Sequence, residues 1–272
     1  MATQEDINTQ NSEFWNTLCG TSLAQGIGIK DGSRESLEIF DKWYMDLYPY
    51  LLDRVPVNTM KDKAVLEIGL GYGTLSQKIA EAGARYHGLD IASGPVAMVN
   101  SRMGMLGVDG LAQQGNMLEC PFEDGTFDAV VSIGCFHHTG DTQRCLDETF
   151  RVLKPGGHAY LMVYNQFSFR QWVRFPKETW EKLRRERAGY AGYVRVEGTE
   201  AQRKAYDADM SGKAAPETDF FSIKQLQHMM RRYKSVHCRK ENFDPLWRIP
   251  RKNLLGNFGR IAGLDIYIHA EK

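Results

Sequence analysis

The run Glu67-Ile68-Gly69-Leu70-Gly71-Tyr72-Gly73 sets one carboxylate beside three alternating glycines. Glycine has no Cβ, so such a run lets the backbone turn tightly and come close to a ligand, and a helix starting behind it offers unpaired N–H groups. The dinucleotide fingerprint G-x-G-x-x-G fails, because Thr74 and Ser76 stand where its third glycine would be. The spacing is G-x-G-x-G instead. About 20 residues on, Asp90 ends an apolar run, where a carboxylate can accept hydrogen bonds from a ribose diol or simply form a turn. His137 and His138 follow a third apolar run. Histidine titrates near neutral pH, so either can act as a general base or only shape a pocket. Adjacent histidines cannot form the i, i+4 pair of a helical zinc motif, and no cluster of carboxylates accompanies them. The five cysteines, Cys19, Cys120, Cys135, Cys145 and Cys238, are scattered and never spaced C-x-x-C, which points to reduced thiols rather than to a disulfide framework or a metal ribbon.

The elements that must carry these residues alternate between Lys63 and Tyr164. Ala64 to Ile68 reads as a strand and Thr74 to Ala82 as a helix, with Leu75, Ile79 and Ala82 on one face. Tyr86 to Asp90, Pro95 to Met105 and a weak strand at Gly110 to Gln114 follow. Phe127 to Ile133 is a buried strand, Thr142 to Leu153 a helix stopped by Lys154-Pro155-Gly156-Gly157, and His158 to Tyr164 the next strand. Such alternation predicts a mostly parallel sheet covered on both faces. Ser36 to Leu52 reads as one aromatic, amphipathic helix. Strands are expected near Ser235 to Glu241 and Gly263 to Ala270, and Ser222 with Gln225 forms a capping box. The stretch 165–219 has no strand signal, but it is too long for a structureless loop and is expected to be a helical insertion that functions.

These motifs, in this order, resemble the class I S-adenosylmethionine-dependent methyltransferases, in particular the branch with ubiquinone, menaquinone and small-molecule methyltransferases. The matching pieces are Val65 to Thr74, Gly88-Leu89-Asp90-Ile91, Pro121 to Asp128, Ser132 to His138, and Arg151 to Gly157. The resemblance implies a Rossmann-like, doubly wound α/β fold with a seven-stranded, mostly parallel sheet and helices on both faces, and a cofactor cleft over its first four strands. It implies that Gly69, Gly71, Gly73 and Thr74 line the methionine part of the cofactor, that Glu67 receives its ammonium group, and that Asp90 holds the ribose hydroxyls with Ile91 beside the adenine. Asn116 and Met117 stand where the family usually has an Asp and an apolar residue at the adenine, and Ile133 ends the fourth strand beside the cleft. The product would be S-adenosylhomocysteine. His137 and His138 are the candidate catalytic residues, and no metal is expected.

Substrate selection is expected outside these motifs, with Tyr44 of the N-terminal segment and Arg170, Trp172 and Arg174 of the insertion as candidate substrate residues. The organisation follows as an N-terminal helical cap (1–60), a cofactor-binding core (61–164), an insertion or lid (165–220) and the end of the sheet (221–272). Net charge is zero overall, but residues 165–272 carry 22 Lys and Arg against 13 Asp and Glu. That excess suits an anionic or lipid-linked small molecule, unless it is only a solvated face. The expected acceptor is a small molecule reached by metal-independent, in-line transfer. A methyltransferase acting on RNA or protein, and a catalytically silent homologue serving as a binding partner, are the alternatives; Ser132 to Cys135 replaces the Asn/Asp-Pro-Pro-Tyr/Phe motif of many RNA enzymes, so no nucleic-acid partner is expected. No run approaches the length of a membrane span and no basic n-region opens the chain, so a cytoplasmic protein is expected.

Overall fold

The computed structural model describes residues 3–16, 26–29, 33–108, 111–189, 198–209, 211–246 and 248–272. Cys19 and Gly110, both named above, lie outside them. Among the described residues the sheet has seven strands: β1 (Ala64–Ile68), β2 (Arg85–Asp90), β3 (Ala112–Gln114), β4 (Phe127–Ile133), β5 (Leu153–Tyr164), β6 (Ser235–Glu241) and β7 (Asp265–Glu271). Their order is β3-β2-β1-β4-β5-β7-β6, with β7 antiparallel to both of its neighbours and the other pairings parallel. The order reverses at β1 and β4, so the chain leaves these two strands in opposite directions and a crevice opens at their carboxyl ends.

Alternate strand residues feed two cores. Leu66 and Ile68 join Leu146, Val152, Leu226 and Met229 on one face, against α6 (Thr142–Val152) and α10 (Ile223–Met229). Val65 joins Leu75, Ile79, Val99 and Met103 on the other, against α4 (Thr74–Glu81) and α5 (Ser93–Leu106). This is the doubly wound α/β architecture expected from the sequence.

Two expectations need correction. The helix expected over Ser36 to Leu52 is broken into α2 (Arg34–Leu47) and α3 (Leu51–Arg54). Pro49 forces the break: it has no N–H to donate and disfavours helical backbone at Tyr48, whose φ is −120° and ψ 63°. The Lys-Pro-Gly-Gly turn is not outside the sheet but inside β5, as an irregularity in its register with β4. Lys154 Nζ donates there to Asp128 Oδ1 at 2.8 Å while Asp128 Oδ2 accepts from the Ala64 N–H at 2.8 Å, so Asp128 ties three strands together and has a structural role.

The remaining helices are α1 (Gln4–Asn16), α7 (Phe169–Arg174), α8 (Pro176–Arg187), α9 (Glu200–Tyr206) and α11 (Asn257–Ala262). α7, α8 and α9 form the insertion, and among the described residues of 165–219 none belongs to the hydrophobic clusters that hold the sheet. Its ends meet where Asn165 bridges to Phe221. Among the described residues no helix is long and apolar enough to cross a membrane.

Candidate active site

The carboxyl ends of β1, β2, β4 and β5 frame a cavity of about 280 Å³. Its floor is the glycine turn after β1, where Gly69, Gly71 and Gly73 have φ of 79°, 52° and 76°. A side chain at these angles is strained, so alternating glycines are what allows the loop to fold back under the opening. Gly69 has a second reason: a Cβ there would collide with Cys135.

Each of the ten residues expected at the cofactor lines this cavity: Glu67, Gly69, Gly71, Gly73, Thr74, Asp90, Ile91, Asn116, Met117 and Ile133. Asp90 holds the loop in shape, accepting from the Leu70 N–H through Oδ2 at 2.8 Å and the Ala92 N–H through Oδ1 at 2.9 Å. Each carboxylate oxygen keeps a further lone pair for a ligand hydroxyl. Burial raises its pKa, opposed by these backbone bonds. Glu67 is 3% exposed and accepts from Ser76 Oγ and Tyr86 OH through Oε2. Burial raises its carboxyl to about 7 even against those two donors. Asn116 Oδ1 accepts from the Leu118 N–H at 2.9 Å, which fixes the amide at the start of the 3-10 turn Met117–Glu119. The Thr74 hydroxyl donates to Asp41 on α2, and Arg102 grips that carboxylate with two bonds of 2.8 Å, so Thr74 serves to tie α2 over the turn. The ligand-facing polar groups at this end are therefore mostly acceptors, which suits the donors of S-adenosylmethionine: an ammonium, two ribose hydroxyls and an exocyclic amine.

The far end of the cavity is built differently. The 3-10 turn Phe136–His138 follows β4 and buries both histidines. His138 lines the cavity, whereas His137 is 0% exposed and lies behind it, its ring 4.1 Å from the Tyr164 ring. Burial, then the neighbouring His138, pushes the His137 pKa well down, so it stays neutral. His138 Nδ1 sits 2.6 Å from the Glu217 carbonyl oxygen. A carbonyl only accepts, so Nδ1 carries the proton and Nε2 is the atom left for chemistry. Nε2 lies 3.5 Å from Asp207 Oδ2, and the same oxygen accepts from the Tyr164 hydroxyl at 2.9 Å. Burial and then the charge of Asp207 push the Tyr164 phenol well above its usual range, so it remains a donor.

Tyr44 lines the cavity, but Arg170, Trp172 and Arg174 do not. Arg170 spends its guanidinium on Asp244, with bonds of 2.9 and 2.6 Å, and lies over the Tyr206 ring. Trp172 packs with Phe167 and Trp180. The expected arginine grip on an anionic acceptor is therefore not formed. Among the described residues no lysine or arginine lines the cavity, while Glu67, Asp90 and Asp207 do.

Sequence reasoning pointed to the N-terminal segment and its Trp15, which lines the opening, but missed Asn8 and Asn11 of α1 and Asp207, the C-cap residue of α9. Asn11 Nδ2 donates to the His138 carbonyl at 2.6 Å, and Ser12 Oγ to the Ile91 carbonyl at 3.2 Å. A local signal for α1 does exist: Thr3 and Asp6 cap each other's N–H groups, and Ile7, Asn11 and Phe14 are spaced to bury one face. No comparable signal marks Asp207. Cys135 also lines the cavity, but burial pushes its thiol well up and leaves it unreactive. Among the described residues no three His, Cys, Asp or Glu side chains gather as metal ligands.

A family model described as a methyltransferase domain matches residues 66–161. An uncharacterized methyltransferase of Geobacillus thermodenitrificans is 30% identical over 156 residues, covering 55% of this chain and 68% of that protein. A demethylmenaquinone methyltransferase of Thermus thermophilus is 28% identical over 125 residues, covering 45% and 54%. Among solved structures, a SAM-dependent methyltransferase from Archaeoglobus fulgidus shares the fold with a TM-score of 0.54 at 14% identity, over 84% of this chain and 94% of that one. Of three curated relatives that it matches, the chain spans 39%, 24% and 54% of their own lengths. With the sheet order, the glycine turn and the acceptor-lined cleft, these matches establish that the chain belongs to the class I S-adenosylmethionine-dependent methyltransferases.

Proposed function

We propose that the protein transfers the methyl group of S-adenosylmethionine to a small molecule, in line and without a metal. The observation that carries this reading is one continuous cavity with the cofactor motifs at one end and the enclosed His138, Tyr164 and Asp207 at the other. Glu67 receives the ammonium group, Asp90 the ribose diol, and Asn116 and Met117 the adenine, with Ile91 and Ile133 as apolar walls. S-adenosylmethionine supplies, when bound, a methyl carbon already activated by its sulfonium, so positioning of the acceptor is the main task left to the protein. Tyr44, Tyr48 and Trp43 exclude water from the acceptor end, and His138 Nε2 is placed to take a proton. His137 keeps the pocket shape and touches no reactant.

An acceptor of metabolite size fits this aromatic-walled cavity of about 280 Å³ better than an RNA or protein segment, and the aromatic walls suit the apolar part of a lipid-linked molecule. Relatives whose names include demethylmenaquinone and ubiquinone methyltransferases agree with a small acceptor. The test has two stages. Calorimetry with S-adenosylhomocysteine is expected to show binding, and with NAD none; the reverse result overturns the reading. A metabolite extract incubated with cofactor labelled in the methyl group is then expected to yield one labelled small molecule, whereas label found only in RNA or protein overturns the acceptor class.

A further inference from the structure

We infer that the acceptor is an amine, which enters as its ammonium ion between Asp207, His138 and the rings of Tyr44, Tyr48 and Trp15. This rests on the methyltransferase reading and names its substrate class. Charge favours a cation there. Glu67 and Asp90 belong to the cofactor end, which leaves Asp207 as the charged group lining the acceptor end, and among the described residues no lysine or arginine lines it; the buried Asp265 behind it is opposed by Arg170 and Arg251. His138 does not reverse the sign. Its Nδ1 proton is committed to the Glu217 carbonyl, so the corner carries one negative charge with neutral imidazole and none with imidazolium. No state short of a protonated Asp207 makes it positive. A carboxylate or phosphate acceptor would be repelled or left unpaired there, whereas an ammonium neutralises it.

The surface near Asp207 points the same way. Tyr44 and Tyr48 stand 4.9 Å apart at 58° to each other, Tyr48 is within electrostatic reach of Asp207, and Trp15 lies 5.0 Å from the His138 ring. Inclined aromatic faces around one carboxylate attract an organic cation, through the ring quadrupoles and the charge together. A gap of 3.5 Å separates His138 Nε2 from Asp207 Oδ2. It is too long for a firm hydrogen bond, which leaves both atoms able to receive protons from a group placed between them.

The chemistry balances. The ammonium N–H bond breaks and its proton passes to the His138 and Asp207 pair, leaving the nitrogen lone pair free. That pair forms the bond to the methyl carbon as the carbon–sulfur bond breaks, its electrons going to sulfur. The sulfonium charge thus appears on the N-methylammonium product, and the stored proton leaves to solvent.

Three probes with the same ring and different charge test this: 2-phenylethylamine, 2-phenylethanol and phenylacetate, titrated by calorimetry into protein saturated with S-adenosylhomocysteine. The amine is expected to bind about tenfold more tightly than either of the others. In Asp207→Asn this preference is expected to fall to within about twofold while S-adenosylhomocysteine still binds, and Tyr44→Leu is expected to weaken the amine alone. Tyr44→Leu keeps the test open should Asp207→Asn not fold. Binding of phenylacetate or phenylethanol as tight as that of the amine, binding of none of the three, or an amine preference that survives both substitutions overturns the inference while leaving the cofactor reading intact. Failure of S-adenosylhomocysteine itself to bind overturns both.

Discussion

One end of the cavity is assembled from neighbours in sequence and the other from residues far apart. At the cofactor end, Gly69 to Thr74, Asp90 to Ile91 and Asn116 to Met117 each start at or within two residues of a strand's carboxyl end, and the two polar side chains bond nearby: Asp90 reaches Leu70 across 20 positions and Asn116 reaches Leu118 across 2. At the acceptor end, Asn11 bonds His138 across 127 positions and Asp207 meets Tyr164 across 43. The first end is a property of the sheet. The second is a property of α1, α2 and the insertion; Tyr44 and Met45 of α2 pack against one hydrophobic cluster of the sheet, whereas no described residue of α1 or of the insertion belongs to those clusters. Specificity can change through the insertion with the least effect on the cofactor end, since α1 and α2 are bonded to that end through Ser12 with Ile91 and Asp41 with Thr74.

The strongest way to break that comparison is to remove the acceptor side. Replacing 168–215 with a short Gly/Ser linker is expected to abolish transfer while S-adenosylhomocysteine affinity stays within about twofold. Asn165 and Phe221, which flank the replaced stretch, already bridge to each other, so the linker has only to span the residues between them and the sheet should close normally. Thermal melting checks the premise, and a molten product would mean that the insertion is part of the core.

The converse, an attack on the cofactor end, has the next largest effect. Asp90→Ala is expected to weaken cofactor binding by about 1.5 to 3 kcal/mol, the range for hydrogen bonds to a charged group. It should also lower Tm, since the Leu70 and Ala92 N–H groups lose their acceptor. Unchanged affinity by calorimetry would remove Asp90 from the ribose site.

A smaller effect is expected from pH. Burial holds the Glu67 carboxyl near 7 in the free protein. An ammonium group beside it favours the carboxylate, so binding lowers that pKa and releases a proton. Affinity is therefore lost as pH falls through about 7, with up to about a tenfold gain between about pH 6 and about pH 8. Glu67→Gln should flatten this profile, and a steep profile that survives in the variant would assign the proton elsewhere. The smallest effect is expected from chelators, which should leave activity unchanged; loss with EDTA and recovery with magnesium would show a metal requirement.

The seven-strand core and the cofactor end were legible because strand periodicity, glycine spacing and strand-end carboxylates are short-range consequences of backbone geometry. Each of Glu67, Asp90 and Asn116 lines the cavity from a position that its own strand or turn fixes. The candidates drawn from side-chain type alone fared differently. Arg170 has the charge to hold an anion, yet Asp244, 74 positions away, already takes it. His137 and His138 are chemically identical in the chain, and only the turn after β4 decides that one ring faces the cavity and the other is sealed behind it. Asp207 looks like an ordinary residue at the end of a charged helix until the insertion carries it to Tyr164. The sequence by itself thus determined the sheet and the cofactor cleft, since those follow from local pattern. Only the tertiary structure decided the charge and composition of the acceptor end, because a side chain's availability depends on which distant partner has already satisfied it.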